Sequence, residues 1–130
     1  MLEKYPSDVN LVIKHFPLKS HKFAYNAAVA ALAAEQQGKY LELTRDMLNN
    51  YKKLNDDTIK KLALRVSLDM EKFDKACNDP AVKKIIIQDM RLSRMVKVER
   101  VPAIFINGRI ANRRSFKALS QMVDQALKKK

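Results

Sequence analysis

Apolar positions along the chain change their period twice. Val9, Leu11 and Ile13 alternate with Asn10, Val12 and Lys14, and the run continues through His15 and Phe16 to a stop at Pro17. A period of two predicts a strand over residues 8–16, and Val12, apolar in the polar phase, predicts burial on both faces. From Ser20 the spacing turns helical. Phe23, Ala27, Ala30, Ala31 and Ala34 share one face, with Ser20 as the predicted N-cap and Gly38 suited to the C-terminal end. So much alanine on one face permits close helix contact, since interaxial distance follows side-chain size.

Tyr40, Leu43, Met47 and Leu48 predict a second helix ending near Asn49 and Asn50. Ile59, Leu62, Ala63 and Val66 predict a third behind an Asn55/Asp56 cap. Asp69 is placed to cap a short fourth helix carrying Met70, Phe73 and Cys77. Asp79, followed by Pro80 at the first helical position, opens a fifth with Val82, Ile85, Ile86, Asp89, Leu92 and Val96. The strand pattern then returns in Ala103 to Ile106. Asn107-Gly108 follows, the pair that best supplies positive φ in a two-residue turn, and Arg109 to Ala111 runs back, so a hairpin is predicted. Ser115 caps a last helix with Phe116, Leu119, Val123 and Ala126, and the tail Lys128 to Lys130 is expected to fray. The order is one strand, five helices, a hairpin and a terminal helix: an α/β chain of about three strands with a helical insert over about 20–96 in a single domain, 1–130.

Composition narrows the class. With 130 residues, 47% hydrophobic and 31% charged, the chain is globular, and its longest apolar run, Ala27 to Ala34, is far shorter than a bilayer span. No basic, apolar and small-residue succession opens the chain, so no secretory signal is expected within it. The net charge of +12 is unevenly placed. Residues 1–82 hold 13 basic and 11 acidic side chains, whereas 83–130 hold 13 basic and 3 acidic ones. Such a C-terminal half attracts nucleic acid, acidic membrane surfaces or acidic proteins in a salt-dependent way. Aromatics are not interleaved with the basic residues Arg109, Arg113, Arg114 and the lysine tail, and no helix-turn-helix or glycine phosphate loop accompanies them. A solvated face is therefore the reading, and nucleic-acid binding is not expected.

Candidate chemistry is sparse. One cysteine, Cys77, cannot form an intramolecular disulfide, a CxxC pair or a Cys-rich zinc site, and it falls at helical spacing from Met70 and Phe73, where thiols pack. His15 and His21 straddle a proline turn without a carboxylate or thiol cluster, which is no metal-ligand pattern. The six methionines and the alanine face fit core packing, and no cofactor is implied. Hydrolase, zincin and nucleotide motifs are absent, and Asp56-Asp57 at a helix start is explained by capping.

Three stretches in order carry a resemblance. The first is Leu2-Glu3-Lys4-Tyr5-Pro6 with Val9 to Leu18. The second is His21, Ala24, Ala27, Ala28, Ala31 and Gln37-Gly38-Lys39-Tyr40, with Phe73 and Cys77 before Asp79. The third is Val101-Pro102-Ala103-Ile104-Phe105-Ile106-Asn107-Gly108. Together they resemble the DsbA-like branch of the thioredoxin superfamily, bacterial thiol-disulfide oxidoreductases with a helical domain inserted into a thioredoxin fold. Lys97 and Arg100 stand where that family often has glycines, and Asn112 where a glycine is frequent after the hairpin.

The resemblance implies an incomplete thioredoxin-like fold. In the family a strand and the CxxC helix precede the strand at 8–16, and Leu2 to Tyr5 resemble the last turn of that helix. Family chemistry needs one cysteine as a low-pKa thiolate and a second to resolve the mixed disulfide. Neither is present, so no catalytic residue is expected here. What the resemblance leaves is substrate binding at Val101 and Pro102: a cis-proline loop whose backbone takes an extended, cysteine-containing polypeptide by β-addition. The implied setting is periplasmic or exported, and the implied identity is the C-terminal portion of such an oxidoreductase. The alternative is a naturally shortened, redox-inactive module that binds peptides or dimerises. Loss of the central strand implies either that segment 8–16 pairs directly with the hairpin or that a second copy fills the gap by strand exchange.

Overall fold

Six α-helices, one short 3-10 helix (Tyr51–Lys53) and one two-stranded hairpin account for the regular structure, and the computed structural model describes all of residues 1–130. The residues group into two units: Lys14–Arg94, and Met1–Ile13 together with Met95–Lys130.

The first of these is helical and is organised by α1 (Ala24–Glu35). This helix has no polar face, as a helix buried on opposite sides requires. Ala30, Ala31, Ala33 and Ala34 face a cluster with Leu43 and Met47 of α2 (Tyr40–Asn49), Ile59, Leu62 and Ala63 of α3 (Asp56–Arg65), and Phe73 and Ala76 of α4 (Met70–Cys77). On its other side, Ala28, Val29 and Leu32 pack with Val82 and Ile86 of α5 (Pro80–Met95), joined by the half-buried Cys77.

Local signals set most boundaries. Asn55 accepts a hydrogen bond from the Thr58 N–H, Asp69 from Lys72 and Asp79 from Ala81, so each acid or amide occupies a donor that the helix leaves unpaired. At the end of α1 the Lys39 N–H reaches the Ala34 carbonyl and the Gly38 N–H that of Glu35, with Gly38 at φ +71°, the pattern of a Schellman cap. Ser67 repeats it after α3, its φ of 63° accompanied by a Leu68 N–H to Ala63 carbonyl bond. Ser20, however, is not an N-cap. The His21 N–H turns back to Leu18 and the Ala24 N–H to His21, and the helix begins only at Ala24, behind a Phe23 that offers no side-chain cap.

The second unit holds β1 (Phe105–Ile106), β2 (Arg109–Ile110) and α6 (Phe116–Lys128), whose Ser115 cap accepts from the Ala118 N–H. Tyr5 is buried here. Its hydroxyl donates to Asp124 Oδ1 at 2.6 Å, with the Ser120 carbonyl 3.3 Å away, and this ties the N-terminal turn to α6.

The predicted strand over 8–16 does not form, and there are two strands rather than three. The segment is extended but pairs with nothing in the chain, neither the hairpin nor another strand. Leu11, Val12 and Ile13 are 58%, 71% and 45% exposed, the reverse of the predicted burial. Alternation reports an extended backbone with apolar side chains; a strand also needs a neighbour, and no segment of this chain supplies one. Direct pairing with the hairpin is thereby overturned.

Phe73, fully buried at the centre of the larger cluster, is the side chain whose truncation costs most. Phe73→Ala is expected to lower unfolding free energy by about 3–5 kcal/mol. Leu48→Ala, at a position 67% exposed, should change it by less than about 0.5 kcal/mol, both read from urea denaturation.

Candidate functional site

The loop leading into the hairpin is built by backbone geometry. Lys97 adopts φ +55°, a left-handed conformation that glycine takes without strain, and the Val101–Pro102 peptide bond is cis. Arg100 and Asn112 have no positive φ, so the chain needs no glycine at either position. Downstream, the Ala111 N–H donates to the Ile104 carbonyl at 2.8 Å, Phe105 stands opposite Ile110 and Ile106 opposite Arg109. Asn107 at φ 46° and Gly108 at φ 78° close the hairpin in the handedness that matches strand twist.

Val101 and Pro102 both lie at the surface, Val101 at 40% exposure. Neither the N–H nor the carbonyl of Val101 has a partner within the chain. Pro102 has no N–H, and its carbonyl accepts from Arg114 Nη1 at 3.4 Å. The loop therefore presents an open donor and an open acceptor on one residue next to a guanidinium. That arrangement can add an extended peptide through main-chain hydrogen bonds, but it contains no nucleophile or general base.

Cys77 does not supply the nucleophile. It packs beside both helical clusters, and burial, reinforced by Asp74, pushes its thiol up to about 11, so it is protonated at neutral pH. No three His, Cys, Asp or Glu side chains converge anywhere in the chain, around His15 and His21 or elsewhere.

A buried carboxylate anchors the extended segment where it enters the helical unit. Asp89, 4% exposed, accepts from the His15 backbone N–H at 2.9 Å and faces Lys14 Nζ at 3.2 Å, while Ser93 Oγ donates to the Asp89 carbonyl at 2.9 Å. The His15 ring stands edge-on to Tyr40, with Nε2 3.4 Å from the Tyr40 hydroxyl. Burial lowers the His15 pKa below its ordinary 6.5, against the raising influence of Asp89, and burial raises that of Tyr40. Sequence reasoning placed Asp89 on the apolar face of its helix without a role. An acid on an apolar stripe was the available signal. The Arg114 contact had no signal, because it is made by a side chain with a loop carbonyl twelve residues away.

Residues 1–125 match the family model described as thioredoxin. The chain is similar to a Na(+)/H(+) antiporter NhaA 1 of Mycobacterium sp. (strain KMS), 28% identical over 108 residues that make up 81% of this chain and 18% of that protein. It is also similar to the Na(+)/H(+) antiporter NhaA 3 of Salinispora tropica, 33% identical over 110 residues, 84% of this chain and 17% of that one. The chain thus spans under a fifth of these relatives' length. Among solved structures it resembles a thioredoxin-like oxidoreductase from Silicibacter pomeroyi, with a TM-score of 0.73 at 23% identity, covering 90% of this chain and 67% of that one. That likeness shows a thioredoxin-like fold.

Two outcomes follow from the local chemistry. Because the folded chain holds His15 below its unfolded pKa, the unfolded chain takes up a proton first on acidification, so stability is complete above pH 6.5 and declines below it through the depressed folded value. Urea midpoints should fall between about pH 7.5 and about pH 5.5, and His15→Gln should flatten that slope. Lys97→Gly removes a left-handed lysine and should raise unfolding free energy by about 1 kcal/mol in the same assay.

Proposed function

We propose, from the premise that this chain belongs to the thioredoxin family, that it is the polypeptide-holding portion of a DsbA-like thiol-disulfide oxidoreductase acting on exported proteins. The observation that carries this reading is the exposed Val101 backbone at the head of the hairpin, its N–H and carbonyl both free. Main-chain pairing there would hold an extended, cysteine-containing client irrespective of most of its side chains, as an enzyme with many clients requires.

On this reading the redox step belongs to cysteines outside these 130 residues, because the one thiol present is half-buried, packed between helices and held protonated. In the parent protein a thiolate attacks one sulfur of a client disulfide and forms a mixed disulfide. The client's other sulfur leaves as a thiolate. The second CxxC thiolate then attacks the mixed disulfide, releasing the reduced client and leaving the CxxC pair oxidised; oxidation of a client runs the same exchange in reverse. The antiporter relatives support the view that a domain of this kind works within a longer polypeptide.

A second reading has its own support. Leu11, Val12 and Ile13 expose an extended apolar edge whose backbone is unpaired, and such an edge favours pairing with a second copy. Under that reading the chain is a redox-silent module that binds peptides or dimerises. The intact mass of the endogenous protein, with its thiols counted by alkylation, separates the two. A species several kDa above 15.0 kDa with two further thiols is the expected result; a 15.0 kDa species with one thiol overturns the oxidoreductase reading.

A further inference from the structure

We infer that the polypeptide held at Val101 is acidic, and that Arg114 with its neighbours Arg100, Arg109 and Arg113 receives its carboxylates; this rests on the reading of Val101 as the docking backbone. Residues 95–130 hold nine basic side chains and two acidic ones. All four arginines are exposed, and none lies within ion-pairing distance of a carboxylate. Elsewhere the chain does compensate an arginine: Arg65 meets Asp46 at 2.9 Å. Residues 95–130 thus carry a net +7 of the chain's +12.

Placement distinguishes this group from a solubilising face. Arg100 immediately precedes Val101, and Arg109 stands on β2 opposite Ile106. The Arg114 guanidinium is held at the loop by its bond to the Pro102 carbonyl. One of its five N–H groups is used there, and the planar fork keeps donors for a carboxylate, the ligand that its geometry fits best. A peptide pairing with the Val101 backbone would run past this guanidinium, and acidic residues beside its pairing segment would reach it. Main-chain bonds then supply docking, while the arginines select among clients and speed encounter with the anionic ones.

The test uses the full chain, uniformly 15N-labelled, with two short extended peptides of matched length, one rich in Asp and Glu and the other its Asn and Gln counterpart. The acidic peptide is expected to shift the Val101 and Ala103 amides and to bind about tenfold more tightly, the sum of two exposed ion pairs, with the difference shrinking as salt is added. The double variant Arg100→Gln, Arg114→Gln should make the affinities of the two peptides equal, whatever their common value; both side chains are exposed, and the hairpin amide shifts report the fold. Equal affinities with Val101 shifted overturn the acidic preference alone. If neither peptide moves the Val101 amide, the docking reading and this inference both fall. Tighter binding of a single-stranded oligonucleotide or of phosphatidylserine vesicles at the same amides overturns the peptide assignment.

Discussion

Burial of one helix from opposite sides is the constraint on which the helical unit depends. Helix α1 has two apolar clusters on opposite sides of a backbone whose side chains are mostly methyl groups, and Ala33 and Ala34 are fully buried. Alanine satisfies two demands together. It keeps the helix intrinsically stable, and it lets neighbouring helices approach near the backbone, where Phe73, Leu43 and Ile86 fill the remaining volume. Because α1 carries no polar face, its ends must be fixed by backbone bonds rather than by solvated side chains. The Schellman bonds at Gly38 do this at one end, and the turns through His21 at the other.

Extended backbone is governed by a different rule, since each N–H and carbonyl needs a partner or water. In residues 9–18 two answers appear in succession. His15 gives its N–H to the buried Asp89 carboxylate, which also receives Lys14, so one acid on α5 serves two donors from the incoming chain. Leu11, Val12 and Ile13 instead remain open to water. Apolar side chains on a solvated strand-like backbone are unusual in a finished sheet, where edges are covered, charged or bulged. An apolar, alternating sequence of this kind suits a sheet interior, which this structure does not provide for it.

What was legible in the sequence was local. Asn55, Asp69, Asp79-Pro80, Asn107-Gly108 and Ser115 each act on backbone groups within a few residues, and each stands where its chemistry places it. Errors arose where the outcome depended on distant partners. The segment 8–16 had the pattern of a strand but no mate. On α5 the buried stripe is Val82, Ile86, Asp89 and Ser93, so Ile85 and Leu92 lie on its shoulder and stay exposed, as does Val96 just past its end. A stripe's centre is set by what packs against it, which periodicity does not contain. The loop at Val101 and Pro102 had no periodic signal at all and was visible only through resemblance. Arg114 was visible only as one more positive charge.

The electrostatics of that loop join binding to chemistry. Under the proposed reading an unpaired main-chain donor and acceptor would take any extended chain, so selectivity would come from nearby side chains, Arg114 at the Pro102 carbonyl among them. The same field acts on sulfur. A cysteine brought beside Val101 would have the Arg114 guanidinium near it, and a cation near sulfur favours the thiolate, the form that attacks a disulfide and the form that leaves from one. Cys77 has the opposite environment, apolar and next to Asp74, and its thiol stays protonated. Under the proposed reading the loop would be the place for thiolate chemistry, while the chain keeps its own cysteine in an environment that suppresses it. Such a division would suit the proposed polypeptide-holding role, since exchange would then be confined to the client and the cysteines dedicated to it.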